Sequence, residues 1–193
     1  MSEEEFDKRL IWLDIETTGL NPHEGEILEI AMRVTDEHGL DLDEPCQFHE
    51  FLYTEDFTER AIEEASSWVV ETHTNSGLIG EVFARGISFE DAENNMKAWI
   101  TDKVTPRNPL VVAGSSVGFD VEWMGHNFVG LLNNSSWFTY RVIDVSSIKE
   151  ICRRVNPDLY SRLPEHVSKH RAESDIADSI AEYRWYLENF LYV

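Results

Sequence analysis

The chain has 193 residues, enough to bury a core of its own and close to the usual size of one domain. Its 42% hydrophobic content is ordinary for a globular fold, and no run of about 18 apolar residues offers a membrane span. With 37 acidic against 16 basic side chains the formal net charge is −21, a poor match for long nucleic acids, whose binding needs many phosphate-neutralising cations.

Two cysteines, Cys46 and Cys152, lie outside any C-x-x-C pair. That argues against a disulfide framework or a thiolate zinc site and points to a reducing cytoplasm. The opening MSEEEFDKRL has no apolar leader segment. The acidity itself fits either a solvated shell or carboxylates gathered around cations, and composition does not separate the two.

Three strands lead the chain: residues 10–15 (LIWLDI), 27–36 (ILEIAMRVTD) and roughly 45–53 (PCQFHEFLY). The turns TTGLNPHEGE and EHGLD join them, which predicts an antiparallel meander. A helix is expected over 57–72, with Trp68 late in it. Ser88-Phe89-Glu90-Asp91 has capping-box spacing and opens a helix to about 103. LVVAG at 110–114 is a short buried strand, followed by a helix over 119–131. YRVID at 140–144 is the fifth strand, and Ser147-Ile148-Lys149-Glu150 has the spacing of a second capping box. The last helix covers 173–190, with the apolar stripe Ile176, Ile180, Tyr183, Leu187 and Leu191. This order predicts an α/β class with one mixed five-stranded sheet flanked by helices, three antiparallel strands followed by a βαβ unit. A single domain over 1–193 is expected.

The stretch IWLDIETTGL begins as a buried strand and then carries two acids where apolar side chains would continue. Strand alternation sets Ile11, Leu13 and Ile15 on one face and Trp12, Asp14 and Glu16 on the other. Two desolvated carboxylates on one face repel, and a divalent cation relieves that repulsion; hard oxygen ligands favour magnesium or manganese. Strand-end acids facing solvent are the plain alternative, and D-x-E by itself does not decide. Asp120 follows the small-residue turn of VVAGSSVGFDVEW, where it also fits an ordinary first-turn helix acid. HRAESDIADSIAEY places His170 five residues before Asp175; Asp178 competes, but Asp175 adjoins the stripe at Ile176. Asp144 closes the YRVID strand and reads most simply as favouring the next helix N-terminus. Arg141, near the helix start at Ser146 and Ser147, forms a candidate anion site.

In combination, D-x-E on the first strand, an Asp after a later strand and H-x4-D at the final helix resemble the DEDDh group of 3′–5′ exonucleases. The blocks WLDIETTGL, ETHTNSGL, AGSSVGFD, YRVIDVSSIKEICRR and HRAESDIADSIAEYRWY are similar in order and spacing to the oligoribonuclease family, and they span nearly the whole chain. That resemblance implies a ribonuclease-H-like fold and two divalent cations, Mg2+ or Mn2+, held by Asp14, Glu16, Asp120 and Asp175. It implies His170 as general base for the attacking water, imidazole being the side chain that changes charge near neutral pH. Leu20 and Trp68 match base-wedging positions, with His73 on the ribose side; Trp68 is otherwise a natural core residue of its helix. Tyr140, Arg141, Ser146 and Ser116 would cap a substrate 5′-phosphate. The family is homodimeric, and the tyrosine is expected to reach into the partner's site.

Three departures from the family pattern stand out. Glu16-Thr17-Thr18-Gly19-Leu20 replaces E-M-T-G-L and changes no ligand. Gly114-Ser115-Ser116 replaces G-N-S and removes an amide from the loop before Asp120. Arg153-Arg154-Val155 replaces R-R-W and removes a large aromatic expected in packing or the dimer contact.

The activity implied is 3′-to-5′ hydrolysis of very short RNA oligonucleotides, above all 5′-phosphorylated dinucleotides, to nucleoside 5′-monophosphates. The charge supports short substrates, since a processive nuclease must neutralise many phosphates and a dinucleotide offers about one or two. One alternative is a DEDDh exonuclease on longer DNA or RNA, in proofreading or tRNA trimming, which calls for a basic track. The other is a non-catalytic RNA-binding protein on the same fold, which has no need of four acids and His170 together.

Overall fold

The computed structural model describes residues 8–106, 108–132, 134, 136–165 and 168–191, without the side chains of 43–45. The start of the chain, where the sequence predicts no leader, lies outside the described residues over 1–7.

Strand β1 (Leu10–Thr17) is the middle strand of the sheet. It pairs antiparallel with β2 (Ile27–Thr35), in a register that sets Asp14 opposite Ala31 and Glu16 opposite Glu29. β2 pairs antiparallel with β3 (Asp41–Phe51). On its other edge β1 runs parallel to β4 (Leu110–Gly114), and β4 runs parallel to β5 (Phe138–Asp144). The order is β3-β2-β1-β4-β5, the five-stranded mixed sheet of a ribonuclease-H-like fold. β2 reads ILEIAMRVT because a strand covered on both faces needs apolar side chains in both directions.

Helices cover both faces of the sheet. Ile11, Leu13 and Ile15 pack with α4 (Phe89–Trp99) and α5 (Gly118–Asn127), through Met96, Trp123 and Met124. Trp12 and Ala113 pack with α7 (Val145–Val155) and α9 (Ala172–Tyr186), through Cys152, Ile176 and Tyr183. The alternation read from IWLDIE therefore holds, and it puts Asp14 and Glu16 on the α9 side. No helix among the described residues is long and apolar enough to cross a membrane.

Several expected boundaries move. The helix expected over 57–72 is two helices, α1 (Phe57–Glu64) and α2 (Ser67–Asn75). Ser66 divides them: its backbone is extended and its hydroxyl accepts from the Val69 amide at 3.3 Å, an N-cap that outweighs a continuous helix. Helix α3 (Leu78–Arg85) is not predicted by the pattern, because glycines flank and interrupt it. Left-handed Gly77 (φ 77°) turns the chain into it, and Leu78 and Val82 seat it on Leu28 and Phe51. Ser88 caps α4 as expected, accepting from the Asp91 amide at 3.1 Å. The 119–131 helix is α5 plus a short α6 (Val129–Leu132).

The second capping box does not form. α7 begins at Val145, and Asp144 caps it by accepting from the Ser146 amide at 2.9 Å. A short α8 (Pro157–Tyr160) follows. On α9 the stripe is buried through Leu187, but Leu191 is half exposed and Tyr186 fills the core instead. Val155 is 67% exposed, so the family's aromatic there has no core position to vacate in this chain.

Trp12 joins the sheet to α9. It is fully buried, its indole N–H donates to Thr35 Oγ1 at 2.8 Å, and Tyr183 meets it edge-on at 5.4 Å. Trp12→Ala should cost about 3–5 kcal/mol of unfolding free energy, from lost burial, a cavity and the lost indole hydrogen bond to Thr35. Urea unfolding measures it, and a loss under about 1 kcal/mol would contradict this packing.

Candidate active site

The parallel ladder between β1 and β4 ends at Trp12 and Ala113. Beyond it the Ile15 amide is not taken by β4, and the Asp120 carboxylate accepts from it at 2.9 Å. Asp120 stands in the first turn of α5, where it is buried. The β4–α5 turn can press against β1 because residue 114 is glycine: a Cβ there would lie 2.8 Å from the Leu13 carbonyl oxygen. An acid from a segment over 100 residues away is thus locked beside Asp14 and Glu16.

Helix α9 supplies the other side. Ligating atoms of Glu16, His170 and Asp175 lie within 4.8 Å of one another, the one such group among the described residues. Ser168 ties two of them together, its hydroxyl donating to Asp175 Oδ2 at 3.0 Å and accepting from the His170 amide at 3.1 Å. His170 (φ 51°) and Ser116 (φ 55°) both hold left-handed backbone, a strain of about 1–3 kcal/mol each. Asp56 and Thr105 share that conformation away from the site.

The acids are held against their ionisation. Burial, then the charges of Asp120, Glu16, Asp175 and Glu29, push Asp14 well above the usual carboxylate range. Burial, then Asp175, Glu29 and Asp120, raise Glu16 to about 8, with Arg171 opposing. Burial lifts Asp120 to about 7 against the Ile15 hydrogen bond, and Asp144 adds to the rise. Burial raises Asp175 too, opposed by Ser168, the Lys169 backbone and His170. Within this cluster Asp175 Oδ1 is buried without a hydrogen-bond partner. An orphaned carboxylate oxygen among like charges fits a divalent cation, which would satisfy the oxygen and cancel the repulsion. Asp14 and Asp120 lie outside the 4.8 Å group and join it through charge.

The remaining expected residues fall into three places. Leu20 is 87% exposed and Trp68 62% exposed, so Trp68 is not a core residue; its ring meets His170 edge-on at 5.6 Å. His73 is buried, its Nε2 3.0 Å from the Thr17 carbonyl and 3.9 Å from Glu16, and burial depresses its pKa. Its Nδ1 is buried without a hydrogen-bond partner. Ser116 and Ser146 come together, hydroxyl to hydroxyl at 3.1 Å, under Asp144, whose Oδ1 accepts from both amides at 2.9 Å. Tyr140, 86% exposed, and exposed Arg141 pair on β5, the guanidinium 4.6 Å from the ring centroid. Ser115, the departure before Asp120, accepts from Ser179 Oγ on α9 at 2.9 Å, so a serine pair ties this loop to α9.

Sequence reading misses Ser168, Glu29 and Arg171. Glu29 had a signal, an acid between Leu28 and Ile30 in the largely apolar run ILEIAMRVT, which marks a buried and paired carboxylate. Ser168 had none, because its contacts depend on how the chain enters α9.

The exonuclease family model matches residues 11–183. The chain is 33% identical over 189 residues to a mitochondrial oligoribonuclease of Saccharomyces cerevisiae, covering 95% of this chain and 68% of that one. It is 36% identical to the oligoribonuclease of Streptomyces coelicolor (95% and 87% covered) and 37% identical to that of Aromatoleum aromaticum (94% of each). Among solved structures, exonuclease I superposes with a TM-score of 0.70 at 16% identity, over 96% of this chain and 42% of that one. The zinc-bound complex of E. coli exonuclease I with single-stranded DNA gives 0.67 at 18%, over 96% and 41%. This chain spans about two fifths of those structures, and the likeness shows the fold. Identity over nearly the full chain, with the motifs in place, shows more: the chain belongs to the exonuclease family and, within it, to the oligoribonucleases, a family of 3′–5′ exoribonucleases.

Proposed function

We propose that this chain, as one exonuclease domain over 1–193, hydrolyses very short RNA from the 3′ end by a two-metal mechanism, with 5′-phosphorylated dinucleotides preferred and nucleoside 5′-monophosphates released. The observation that carries this is the convergence of Glu16, His170 and Asp175 within 4.8 Å, beside the buried acids Asp14 and Asp120.

Two divalent cations, Mg2+ or Mn2+, held by Asp14, Glu16, Asp120 and Asp175, would activate water and stabilise the leaving 3′-oxygen. His170 takes the proton of the attacking water at a ring nitrogen, and Trp68 against its edge limits how the ring can turn. Leu20 and Trp68 stand exposed to hold bases by contact and stacking, worth about 1–3 kcal/mol per base. His73 Nδ1, without a hydrogen-bond partner in the folded chain, would pair with a ribose hydroxyl. The joined hydroxyls of Ser116 and Ser146, at the N-terminus of α7, would donate to a 5′-phosphate, with Arg141 adding charge.

Short substrates suit a chain of net charge −21, which has few cations to spend on a long backbone. The reading of longer DNA or RNA as substrate has fold likeness to exonuclease I behind it, whereas the short-RNA reading has relatives named oligoribonuclease. A homodimer fits the exposed side chains of Tyr140 and Val142 on edge strand β5 and of Ile151 and Val155 on α7. A second copy covering them would bring Tyr140 toward the partner's site. The two unpaired cysteines suit a reducing cytoplasm.

Three outcomes test this. Asp120→Ala and His170→Ala should each cut turnover by far more than tenfold, a barrier change above about 1.4 kcal/mol. The first should also weaken activating-cation affinity and the second should not; retained turnover in either removes that assignment.

The second concerns pH. Glu16 at about 8 and Asp120 at about 7 hold protons in the folded chain that the unfolded chain, near 4.5 and 3.8, has lost. Their contribution to stability is full below the unfolded values and is lost as pH climbs through about 7 to 8. Metal-stripped protein should melt several degrees lower at pH about 8.5 than at about 5.5, and Mg2+ or Mn2+ should restore it mainly at the higher pH. Glu16→Gln/Asp120→Asn should flatten that slope; an unchanged slope would assign it to general self-repulsion.

The third is length-resolved digestion of RNAs from two to about twenty nucleotides, each with a 5′-phosphate or a 5′-hydroxyl. The 5′-phosphorylated dinucleotide should be cleaved fastest, and Arg141→Ala should erase roughly ten- to a hundredfold of its advantage, the size of one charge-assisted contact. Equal rates at all lengths would replace this substrate class with the longer one.

A further inference from the structure

Glu29 is a buried acid that the chemistry does not use. It sits in β2 directly opposite Glu16, with no exposed surface on its side chain. A carboxylate placed there beside the metal-site acids would add to their repulsion, yet Glu29 itself is fully satisfied. His49 Nε2 lies 2.7 Å from Oε1, Arg171 Nε and Nη2 donate from 3.2–3.3 Å, and the Ala172 amide donates to Oε2 at 3.1 Å. Burial alone would raise its pKa; these hydrogen bonds outweigh burial and hold it below the usual value.

Two of those partners immediately follow His170. Helix α9 has no side-chain cap of its own: its N-cap, Arg171, makes no capping hydrogen bond, and an orphan amide at the helix start would be left buried. Glu29 supplies that cap from a different element, and its charge also suits a helix N-terminus. Arg171 reaches on to the Ser76 carbonyl at 3.5 Å at the end of α2, the helix that carries Trp68 and His73. On its other side the His170 amide donates to Ser168 Oγ at 3.1 Å. The left-handed φ of 51° at His170 needs both ends fixed, because a free chain relaxes out of it.

We propose that Glu29, with Arg171, is the positioning device of His170: a buried carboxylate on the sheet pins residues 171 and 172 and thereby aims the imidazole at Glu16 and Asp175. This rests on His170 being the base, and the test separates the two. Glu29→Gln keeps the shape but turns one acceptor into a donor facing the guanidinium. It should lower kcat by about ten- to a hundredfold, with KM within about twofold at saturating Mg2+, and speed hydrogen exchange at the Ala172 amide. In a His170→Ala background the same substitution should change kcat less than about twofold, because the residue it aims is gone.

An equal fold-loss in both backgrounds, or unchanged kcat and unchanged Ala172 exchange, overturns the positioning role and leaves the base standing. A His170→Ala enzyme with wild-type kcat overturns the base assignment, and the positioning role with it. Should Glu29→Gln not fold, Arg171→Lys keeps the buried ion pair, loses the guanidinium fork and passes through the same cycle with the same criteria.

Discussion

Everything in this fold converges on the cost of burying like charges at the end of β1. Asp14 and Glu16 leave the strand on the α9 side, and Asp120 and Asp175 arrive from α5 and α9. Burial raises the pKa of all four, and the charges of Asp120 and Asp175 push Asp14 and Glu16 further up. A core left to minimise its own free energy would not assemble such a group. The hydrophobic layers around Trp12 and Trp123 are what hold it in place, and they place the stored repulsion where a divalent cation would release it.

The neighbouring acids show the opposite solution. Glu29 is as buried as any of them but is surrounded by donors and stays ionised. Asp144 is likewise consumed, bridging the β4–α5 turn to the start of α7. Satisfied carboxylates therefore frame unsatisfied ones. Both segments of strained backbone near the site, at Ser116 and His170, are anchored by one of these satisfied acids, through Ser116 N to Asp144 and through Ala172 N to Glu29. Rigid donors and acceptors around a site hold groups that would relax apart on their own.

The departures from the oligoribonuclease pattern are accommodated rather than disruptive. Ser115 replaces an amide and still bonds across to α9 through Ser179. Val155 lies on the outside of α7, so the change there alters surface and not core.

By itself the sequence determined the strand order of the meander, the alternation that separates Ile11, Leu13 and Ile15 from Asp14 and Glu16, and the motif spacing that marks the family. Those features are local, set by side-chain period, turn residues and capping groups within a few positions. Only the tertiary structure decided that Trp68 is exposed, that Ser66 breaks a helix, and that Asp144 and not Ser147 opens α7. It alone decided which acids are satisfied, because Asp120 finds the Ile15 amide across 105 positions and Arg171 finds Glu29 across 142. Whether a buried charge repels or is tied depends on donors brought in from distant segments, and that proximity exists only once the sheet and helices have packed.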